Sequence, residues 1–354
     1  MNDVHLLLNC NKLSYADDIK LFAIIEKTSD GSFLQSQLNV FSNWCTDNRM
    51  ILNASKCAVI TFTRKHFPVL YNYTLENTNI PRTDCVKDLG VMLDTKLTFS
   101  NHITYTVSKA SWTLGFIFRT AKHFRQINCL KTLYCSLVRS SLEYCSVVWA
   151  PYYQNGIQRV ESVQRKFVRY AQRYTSWPDP SNQPIYEERC KMLNLDLLSV
   201  RRDVAKATFV SDLLQSSIDC PEILQLVDFN IRRRSLRTHY FLRIPRARTN
   251  YGQREPITSM CRVFNSCSEL FDFHLSRLTI KNRILNFFRS LWHRPSISVH
   301  TFNVYFFIFF ISCDITVSCK KCLDVKLLVL YHLSLCTCWC DKTRWFLCLF
   351  EEKW

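Results

Sequence analysis

The chain contains 354 residues, of which 47% are hydrophobic and 14% aromatic, a composition that excludes wholesale disorder and allows two or three domains with buried cores. Lys and Arg number 46 against 29 Asp and Glu, a net charge of +17, which favours a polyanionic partner, nucleic acid before membrane, over an ordinary solvated basic surface. Only five glycines occur and no glycine-rich loop is present, so P-loop and Rossmann chemistry is excluded.

The first predicted element is a β-hairpin around Tyr15-Ala16-Asp17-Asp18. Lys12, Leu13 and Ser14, an apolar residue between two polar ones, precede this tetrapeptide. An apolar run that is rich in β-branched residues, 19–25, comes after it. Two strand-like segments around an acidic pair predict a turn that places carboxylates at one edge of a sheet. Adjacent carboxylates repel each other when both are ionised, which favours a divalent cation nearby, and Mg²⁺ suits one or two carboxylates plus substrate phosphates. An ordinary acidic turn is the alternative, because Asp is common in turns.

A helix over residues 32–47 is predicted to pack beneath this sheet. Ser32 and Gln35 have the spacing of a capping box. Apolar residues then recur at helical spacing, at Leu34, Leu38, Phe41 and Cys45. A turn over residues 53–56 and a strand from Cys57 to Phe62 come next, and Gly90 marks a bulge or turn within residues 85–93.

From residue 100 to residue 174 the hydrophobic period is helical and predicts three helices. The third, around residues 157–167, carries basic residues on its polar side: Arg159, Arg165, Lys166, Arg169 and Arg173. Such a face suits contact with a nucleic-acid backbone, and a merely solvated charged face is the alternative.

The segment 177–182 is the clearest linker, and residues 185–217 beyond it are predicted to be mostly helical. Residues 232–248 contain the densest basic cluster, which begins with Arg232-Arg233-Arg234, and Tyr240, Phe241 and Tyr251 interleave or follow it. Stacking on single-stranded bases, a nuclear-targeting signal and a solvated loop all remain open for this cluster.

The last residues have a different character. The apolar run 302–312 is too short for a membrane span, and the cysteines within 319–322 and 336–340 do not form paired zinc knuckles, so we expect neither a membrane partner nor zinc. Most other cysteines are single residues among apolar ones, as in reduced proteins: Cys57, Cys85, Cys129, Cys135 and Cys145. No signal peptide is evident, and we expect an intracellular protein of the nucleus or cytoplasm.

Tyr15-Ala16-Asp17-Asp18 between two apolar strands resembles the catalytic hairpin of reverse transcriptases. The residues after this hairpin are similar to those of the polymerases of non-LTR (LINE-type, jockey-like) retrotransposons, in the family's order and at about its spacing. The supporting residues are Gln37-Leu38, Trp44-Cys45, Leu52-Asn53-Ala54-Ser55-Lys56-Cys57, Lys87-Asp88-Leu89-Gly90-Val91, Leu97-Thr98-Phe99, His102-Ile103, Leu114-Gly115-Phe116-Ile117, Leu133-Tyr134, Leu142-Glu143-Tyr144-Cys145, Val148-Trp149 and Glu161-Ser162-Val163-Gln164-Arg165-Lys166-Phe167. A weaker echo extends over Arg254-Glu255-Pro256-Ile257 and Arg262-Val263-Phe264-Asn265.

The resemblance implies an α+β fold in which part of a reverse-transcriptase palm, an antiparallel sheet with a helix, precedes a mostly α-helical thumb and C-terminal region. It divides the chain into a partial palm (1–98), a helical thumb (99–175) and a basic, mostly helical region (176–290). Residues 291–354 lie beyond the family's pattern, and we expect this tail not to fold.

The implied activity is RNA-directed DNA synthesis by two-metal nucleotidyl transfer, with Mg²⁺ or Mn²⁺, without an organic cofactor, and on an RNA template, a DNA primer and dNTPs. Asp17 and Asp18 are implied as catalytic metal ligands, and Lys56 as a general acid or a charge partner for the leaving pyrophosphate. A solvated turn lysine is the alternative for Lys56. Residues 85–93 match the primer-grip region. The implied nucleic-acid contacts are Tyr15, Lys87, Arg159, Arg165, Lys166, Arg169, Arg232, Arg233 and Arg234.

One part of the family's catalytic set has no counterpart in this sequence. The family carries a further essential aspartate on a strand well upstream of the hairpin, whereas the acid before Tyr15 in this sequence is Asp3, in a different context. The expectation is therefore that these 354 residues alone do not polymerise DNA. A nucleic-acid-binding remnant without enzymatic activity, or a pseudogene product without a role, is the alternative.

Overall fold

The structure of the protein is a computed structural model that describes residues 3–15, 18–123, 126–174, 184–231, 240–292 and 346–350. The chain divides into two compact units, one of residues 1–104 with 333–354 and the other of residues 105–332. The described residues combine strands and helices in the first unit with helices in the second, so the predicted α+β class is confirmed.

The first unit contains the strands and the longest helix before residue 100. Its elements in chain order are α1 (Val4–Leu7), β1 (Asn11–Tyr15), β2 (Asp18–Ile24), α2 (Thr28–Asp47), a 3₁₀ turn (Ala54–Lys56), β3 (Ala58–Phe62), β4 (Thr74–Leu75), β5 (Thr78–Asn79), β6 (Cys85–Asp88), β7 (Val91–Asp94), the start of α3 (Ser100–Thr120) and β8 (Phe346–Phe350).

The main sheet has the strand order β1-β2-β8-β3 in the described residues. β1 and β2 form the predicted antiparallel hairpin, with Asn11 opposite Phe22 and Tyr15 opposite Asp18. After β2, helix α2 carries the chain past one strand position to β3, and β8 occupies that position, parallel to both neighbours. The expectation of an unfolded tail therefore does not hold for residues 346–350.

Helix α2 packs on one face of this sheet, as predicted. Its apolar stripe, which includes Leu34, Phe41 and Cys45, joins Ile19 and Leu21 of β2 in one buried core. Cys57 is also part of this core, and burial raises the pKa of its thiol to about 11. The structure thus agrees with the interpretation of Cys57 as a small apolar residue.

The predicted start of α2 at Ser32 is wrong, because the helix begins at Thr28. The reason is Asp30, whose carboxylate accepts hydrogen bonds from the backbone N–H groups of Glu26 (2.9 Å) and Lys27 (2.8 Å). These bonds satisfy donors at the helix entrance one turn before Ser32, which itself donates to the carbonyl of Ser29.

A second hairpin, β6–β7, lies in the region that was predicted to contain a turn at Gly90. Asp88 is opposite Val91, and the connecting residues Leu89 and Gly90 have φ values of 43° and 89°. Two consecutive left-handed residues are typical of the tight two-residue turn that matches strand twist, and glycine adopts this conformation without a steric penalty. The predicted turn is confirmed.

The second unit is helical in its described residues, apart from an isolated bridge between Phe229 and Leu242. Its elements are the rest of α3, a 3₁₀ turn (Ala121–His123), α4 (Ile127–Leu133), a π-helical segment (Tyr134–Arg139), α5 (Ser140–Glu143), α6 (Ser146–Trp149), α7 (Gln154–Ala171), a 3₁₀ turn (Gln172–Tyr174), α8 (Tyr186–Met192), α9 (Leu198–Leu214), α10 (Pro221–Leu224), α11 (Asn250–Gln253), α12 (Pro256–Asn265), a 3₁₀ turn (Ser268–Leu270) and α13 (Arg277–Trp292).

Helix α9 lies at the centre of this unit, where it contacts α7, α12 and α13. Helices from both sides of the predicted boundary at residue 175 therefore belong to one compact body. Among the described helices, none combines the length and apolar character that a membrane crossing requires.

Candidate catalytic hairpin and basic helix face

The acidic pair lies at the connection between β1 and β2. Tyr15 ends β1, Asp18 begins β2, and both side chains are half-buried. Ala16 and Asp17 complete the connection and lie outside the described residues. The structure thus confirms that the tetrapeptide is at a strand reversal, while the contacts of Asp17 remain a prediction.

The face on which Asp18 lies is determined by strand alternation. Ile19 and Leu21 are buried in the core that α2 covers. Since successive residues of a strand point to opposite faces, Asp18 and Lys20 lie on the other face, away from α2. A carboxylate at the end of a strand and away from the packed helix is placed where a cation and its substrate could approach.

The same face holds a buried ion pair that the sequence reasoning missed. The Lys20 Nζ atom is 2.7 Å from Oδ2 and 2.6 Å from Oδ1 of Asp88, and the side chains of the two residues are only 6% and 4% exposed. Asp88 ends β6, directly before the turn of the second hairpin. One signal was present in the sequence, because a lysine inside the apolar run 19–25 needs a partner if that strand is buried.

The predicted turn that carries Lys56 is confirmed as a 3₁₀ turn that leads into β3. The Asn53 side chain accepts hydrogen bonds from the backbone N–H (3.1 Å) and the hydroxyl (2.6 Å) of Ser55, which fixes the turn. Lys56 is exposed. In the sheet, the strand that follows it, β3, is separated from the β1–β2 hairpin by β8. The role of Lys56 therefore stays a prediction.

Lys87 is exposed on β6, between the buried residues Val86 and Asp88. Its charge acts on His102, which lies in the first turn of α3 and is 3% exposed. The His102 Nδ1 atom accepts a hydrogen bond from the backbone N–H of Met92, at 3.2 Å. Desolvation, with a smaller contribution from the Lys87 charge, lowers the pKa of His102 to about 4.

Helix α7 presents the predicted basic face. Arg159, Lys166 and Arg169 are exposed, and their spacing puts them on one side of the helix, about 15 Å from end to end at the usual helical rise. Arg165 is also exposed, and its guanidinium carbon lies 5.0 Å from the centre of the Tyr186 ring. The acidic residue of this helix, Glu161, is buried on the opposite side. Arg232, Arg233 and Arg234 lie outside the described residues.

The donor set at the hairpin suits a hard divalent cation, because two carboxylates are what Mg²⁺ or Mn²⁺ takes from a protein that also binds phosphates. Among the described residues, no cluster of three or more His, Cys, Asp or Glu side chains could hold a metal ion. Asp17 is outside that set, so the case for a metal at Asp17 and Asp18 depends on the chemistry of the two carboxylates. The cysteine-rich segments considered for zinc lie outside the described residues as well.

The chain is similar in sequence to RNA-directed DNA polymerases of mobile elements. It is 29% identical over 169 residues to the RNA-directed DNA polymerase from mobile element jockey of Drosophila funebris, a match that covers 44% of this chain and 17% of the relative. The corresponding protein of Drosophila melanogaster is 28% identical over 167 residues, with the same coverage. The probable RNA-directed DNA polymerase from transposon X-element of Drosophila melanogaster is 28% identical over 138 residues, 36% of this chain and 14% of the relative.

These matches confirm the predicted resemblance to the jockey-like polymerases of non-LTR retrotransposons. No family model and no solved structure matches the chain. The chain spans 14% to 17% of the length of these relatives, so the activity, substrates and partners of a whole polymerase are proposals for this chain.

Proposed function

We propose that the chain is a segment of a non-LTR retrotransposon reverse transcriptase, with part of the palm in its first unit and the thumb in its second. The observation that carries the proposal is the position of Tyr15 and Asp18 at a strand reversal, with Asp18 on the sheet face opposite α2. In this proposal Asp17 and Asp18 hold Mg²⁺ or Mn²⁺. The bound metal supplies charge stabilisation for nucleotidyl transfer from a dNTP to a primer on an RNA template.

The remaining residues act on the substrates by position and charge. Exposed Lys56 meets the phosphates of the incoming nucleotide as a charge partner or proton donor. Tyr15 and Lys87 contact the template–primer near the hairpin, and the β6–β7 hairpin holds the primer end. The exposed side of α7 tracks the nucleic-acid backbone with Arg159, Arg165, Lys166 and Arg169, and the basic segment with Arg232, Arg233 and Arg234 adds to this charge.

Metal binding at the hairpin is directly measurable. The chain should bind Mn²⁺, measured by electron paramagnetic resonance of the free ion, and Asp18→Asn should weaken this binding about tenfold or more, because one of two charged ligands is lost. Asp47→Asn is the matched control, since Asp47 is an exposed carboxylate at the end of α2. Equal Mn²⁺ affinity of the Asp18 variant and the wild-type chain would refute the assignment.

Primer extension tests the enzymatic part of the proposal. By the family resemblance a further aspartate completes the metal site, so we expect the 354-residue chain alone to give no template-dependent product with Mg²⁺ or Mn²⁺. If the chain does extend a primer, and Asp18→Asn abolishes that extension, the chain contains an active polymerase. This result would overturn the expectation of inactivity and would leave the metal assignment in place.

A second candidate function is nucleic-acid binding without catalysis, which the exposed basic face of α7 favours. Neutralising Arg159, Lys166 and Arg169 to Gln should weaken binding of an RNA–DNA hybrid. It should also reduce the slope of log affinity against log salt by up to about 2.7, since each phosphate contact contributes about 0.9. Fluorescence anisotropy at several salt concentrations measures both quantities.

The control for this experiment removes the same charge from other exposed sites, with Lys27, Lys96 and Lys122 changed to Gln. It should leave most of the salt slope intact, because its residues lie in three separate parts of the chain and not on one helix face. Asp18→Asn should not change hybrid binding if the chain acts only as a binding module. Identical slopes for the α7 variant and the control would show that the basic face is merely solvated.

A further inference from the structure

The strand with the candidate metal ligand is joined to the second hairpin by a buried charge pair. Lys20 lies two residues after Asp18 in β2, and Asp88 lies 68 residues further along the chain at the turn of β6–β7. The Lys20 ammonium is within 2.7 Å of both Asp88 oxygens, and both residues are almost completely excluded from solvent.

Such a pair contributes little net stability. Removing two charges from water costs several kcal/mol per ion, and replacing a buried pair by apolar residues is often neutral or stabilising. What the pair supplies is a fixed partner, because separating the two groups would leave each charge buried without compensation. It therefore fixes β2 relative to the turn formed by Leu89 and Gly90.

The location of the pair gives it a second effect. Residues i and i+2 of a strand lie on the same face with Cα atoms about 7 Å apart, so Lys20 and its charge are near neighbours of Asp18. A lysine cation on the same face opposes the binding of a divalent cation, and the Asp88 carboxylate offsets that charge. The arrangement of Lys20 and Asp88 therefore sets the electrostatic potential that a metal ion meets at Asp18.

We propose that Lys20 and Asp88 are positioning residues, which lock the β6–β7 turn against the hairpin strand and set the charge beside the metal ligand Asp18. This inference rests on the proposed function, in which Asp18 binds a divalent cation and the β6–β7 hairpin holds the primer end.

The test compares Mn²⁺ affinity and thermal unfolding of Lys20→Met and Asp88→Asn in the full chain at neutral pH. Asp88→Asn leaves the lysine charge without its counter-ion and should weaken Mn²⁺ binding by about threefold or more. Lys20→Met removes the positive charge and should strengthen Mn²⁺ binding by a similar factor, again about threefold. Both single variants should unfold at lower temperature than the wild-type chain, because each leaves one charged or polar partner buried without the other.

The opposite signs of the two metal effects identify the positioning role. A purely structural pair would change Mn²⁺ affinity in the same direction in both variants, or in neither, and either result would overturn the inference. If a single variant does not fold, two double variants test the inference in its place. Lys20→Met with Asp88→Leu should fold and unfold near the wild-type temperature. Lys20→Asp with Asp88→Lys should fold and bind Mn²⁺ more tightly than the wild-type chain, and equal or weaker binding would overturn the inference.

Failure of this inference and failure of the proposed function are distinguishable. If the wild-type chain binds no Mn²⁺, or if Asp18→Asn binds it equally well, the metal site itself is refuted. If Asp18→Asn loses Mn²⁺ binding while the Lys20 and Asp88 variants do not move in opposite directions, only the role of the ion pair is refuted.

Discussion

Replacing Gln164 by leucine should lower the free energy of unfolding of the helical unit by about 3 kcal/mol, because several buried polar groups each lose one hydrogen-bond partner together. Gln164 is fully buried in α7. Its Oε1 atom accepts a hydrogen bond from the Tyr134 hydroxyl at 2.9 Å. Its Nε2 atom donates to the Tyr186 hydroxyl at 3.1 Å and to the Asp196 carbonyl at 3.0 Å.

These bonds belong to a network that fixes α7 against its neighbours. The Tyr186 hydroxyl also donates to Oε1 of Glu161 at 2.9 Å, and the same oxygen accepts the backbone N–H of Leu198 at the start of α9, at 3.1 Å. Leucine fills a similar volume but satisfies none of these groups. The loss should therefore exceed that of a single exposed hydrogen bond.

Urea denaturation monitored by circular dichroism measures this change. Gln158→Leu is the matched control, because Gln158 is an exposed residue of the same helix, and its free energy of unfolding should stay within about 0.5 kcal/mol of the wild-type value. A loss below about 1 kcal/mol for the Gln164 variant would mean that the network relaxes around the missing amide.

The second large effect is a pH dependence caused by His102. Its folded-state pKa of about 4 is below its ordinary value of 6.5, because the imidazole is desolvated in the first unit. The unfolded chain therefore binds a proton that the folded chain does not bind between these two pH values. The free energy of unfolding should be unaffected above about pH 6.5 and should fall by about 3 kcal/mol by pH 4 from this residue alone.

The variant His102→Gln isolates this contribution. A glutamine oxygen can accept a hydrogen bond from the Met92 N–H but does not titrate. From pH 7 to pH 4 the wild type should therefore lose about 3 kcal/mol of unfolding free energy relative to the variant. His66→Gln is the control at an exposed histidine, and the difference in unfolding free energy between this variant and the wild type should not change with pH. A pH-independent difference between wild type and the His102 variant would contradict a buried neutral imidazole.

The elements that the sequence predicted correctly are those with a strong local pattern. The hairpin at Tyr15 and Asp18 is indicated by a short strand-like segment and an apolar, β-branched-rich run around an acidic turn, and α7 by a regular apolar stripe opposite arginines. The start of α2 was wrong because Ser32 offered the expected capping spacing, while the side chain of Asp30 satisfies earlier backbone donors. Alternative caps one turn apart cannot be distinguished by spacing alone.

The contacts that were missed join residues far apart in the chain. Lys20 and Asp88 both stand in recognisable elements, but nothing local indicates which carboxylate a buried lysine meets. The Gln164 network is similar, since its members come from helices whose packing the hydrophobic period does not specify. Asp17 and the arginines at 232–234 stay predictions, because they lie outside the described residues.

The strand β8 has a consequence for the order of folding. The sheet between β2 and β3 is completed by residues 346–350, which begin 284 positions after the end of β3 and 322 after the end of β2, and such distant pairing gives the first unit a high contact order. During synthesis, the amino-terminal strands emerge from the ribosome long before the segment that pairs with them. Closure of this sheet therefore waits until residues 346–350 have been synthesised, and until then the facing edges of β2 and β3 lack their partner strand and are open to chaperones and to aggregation.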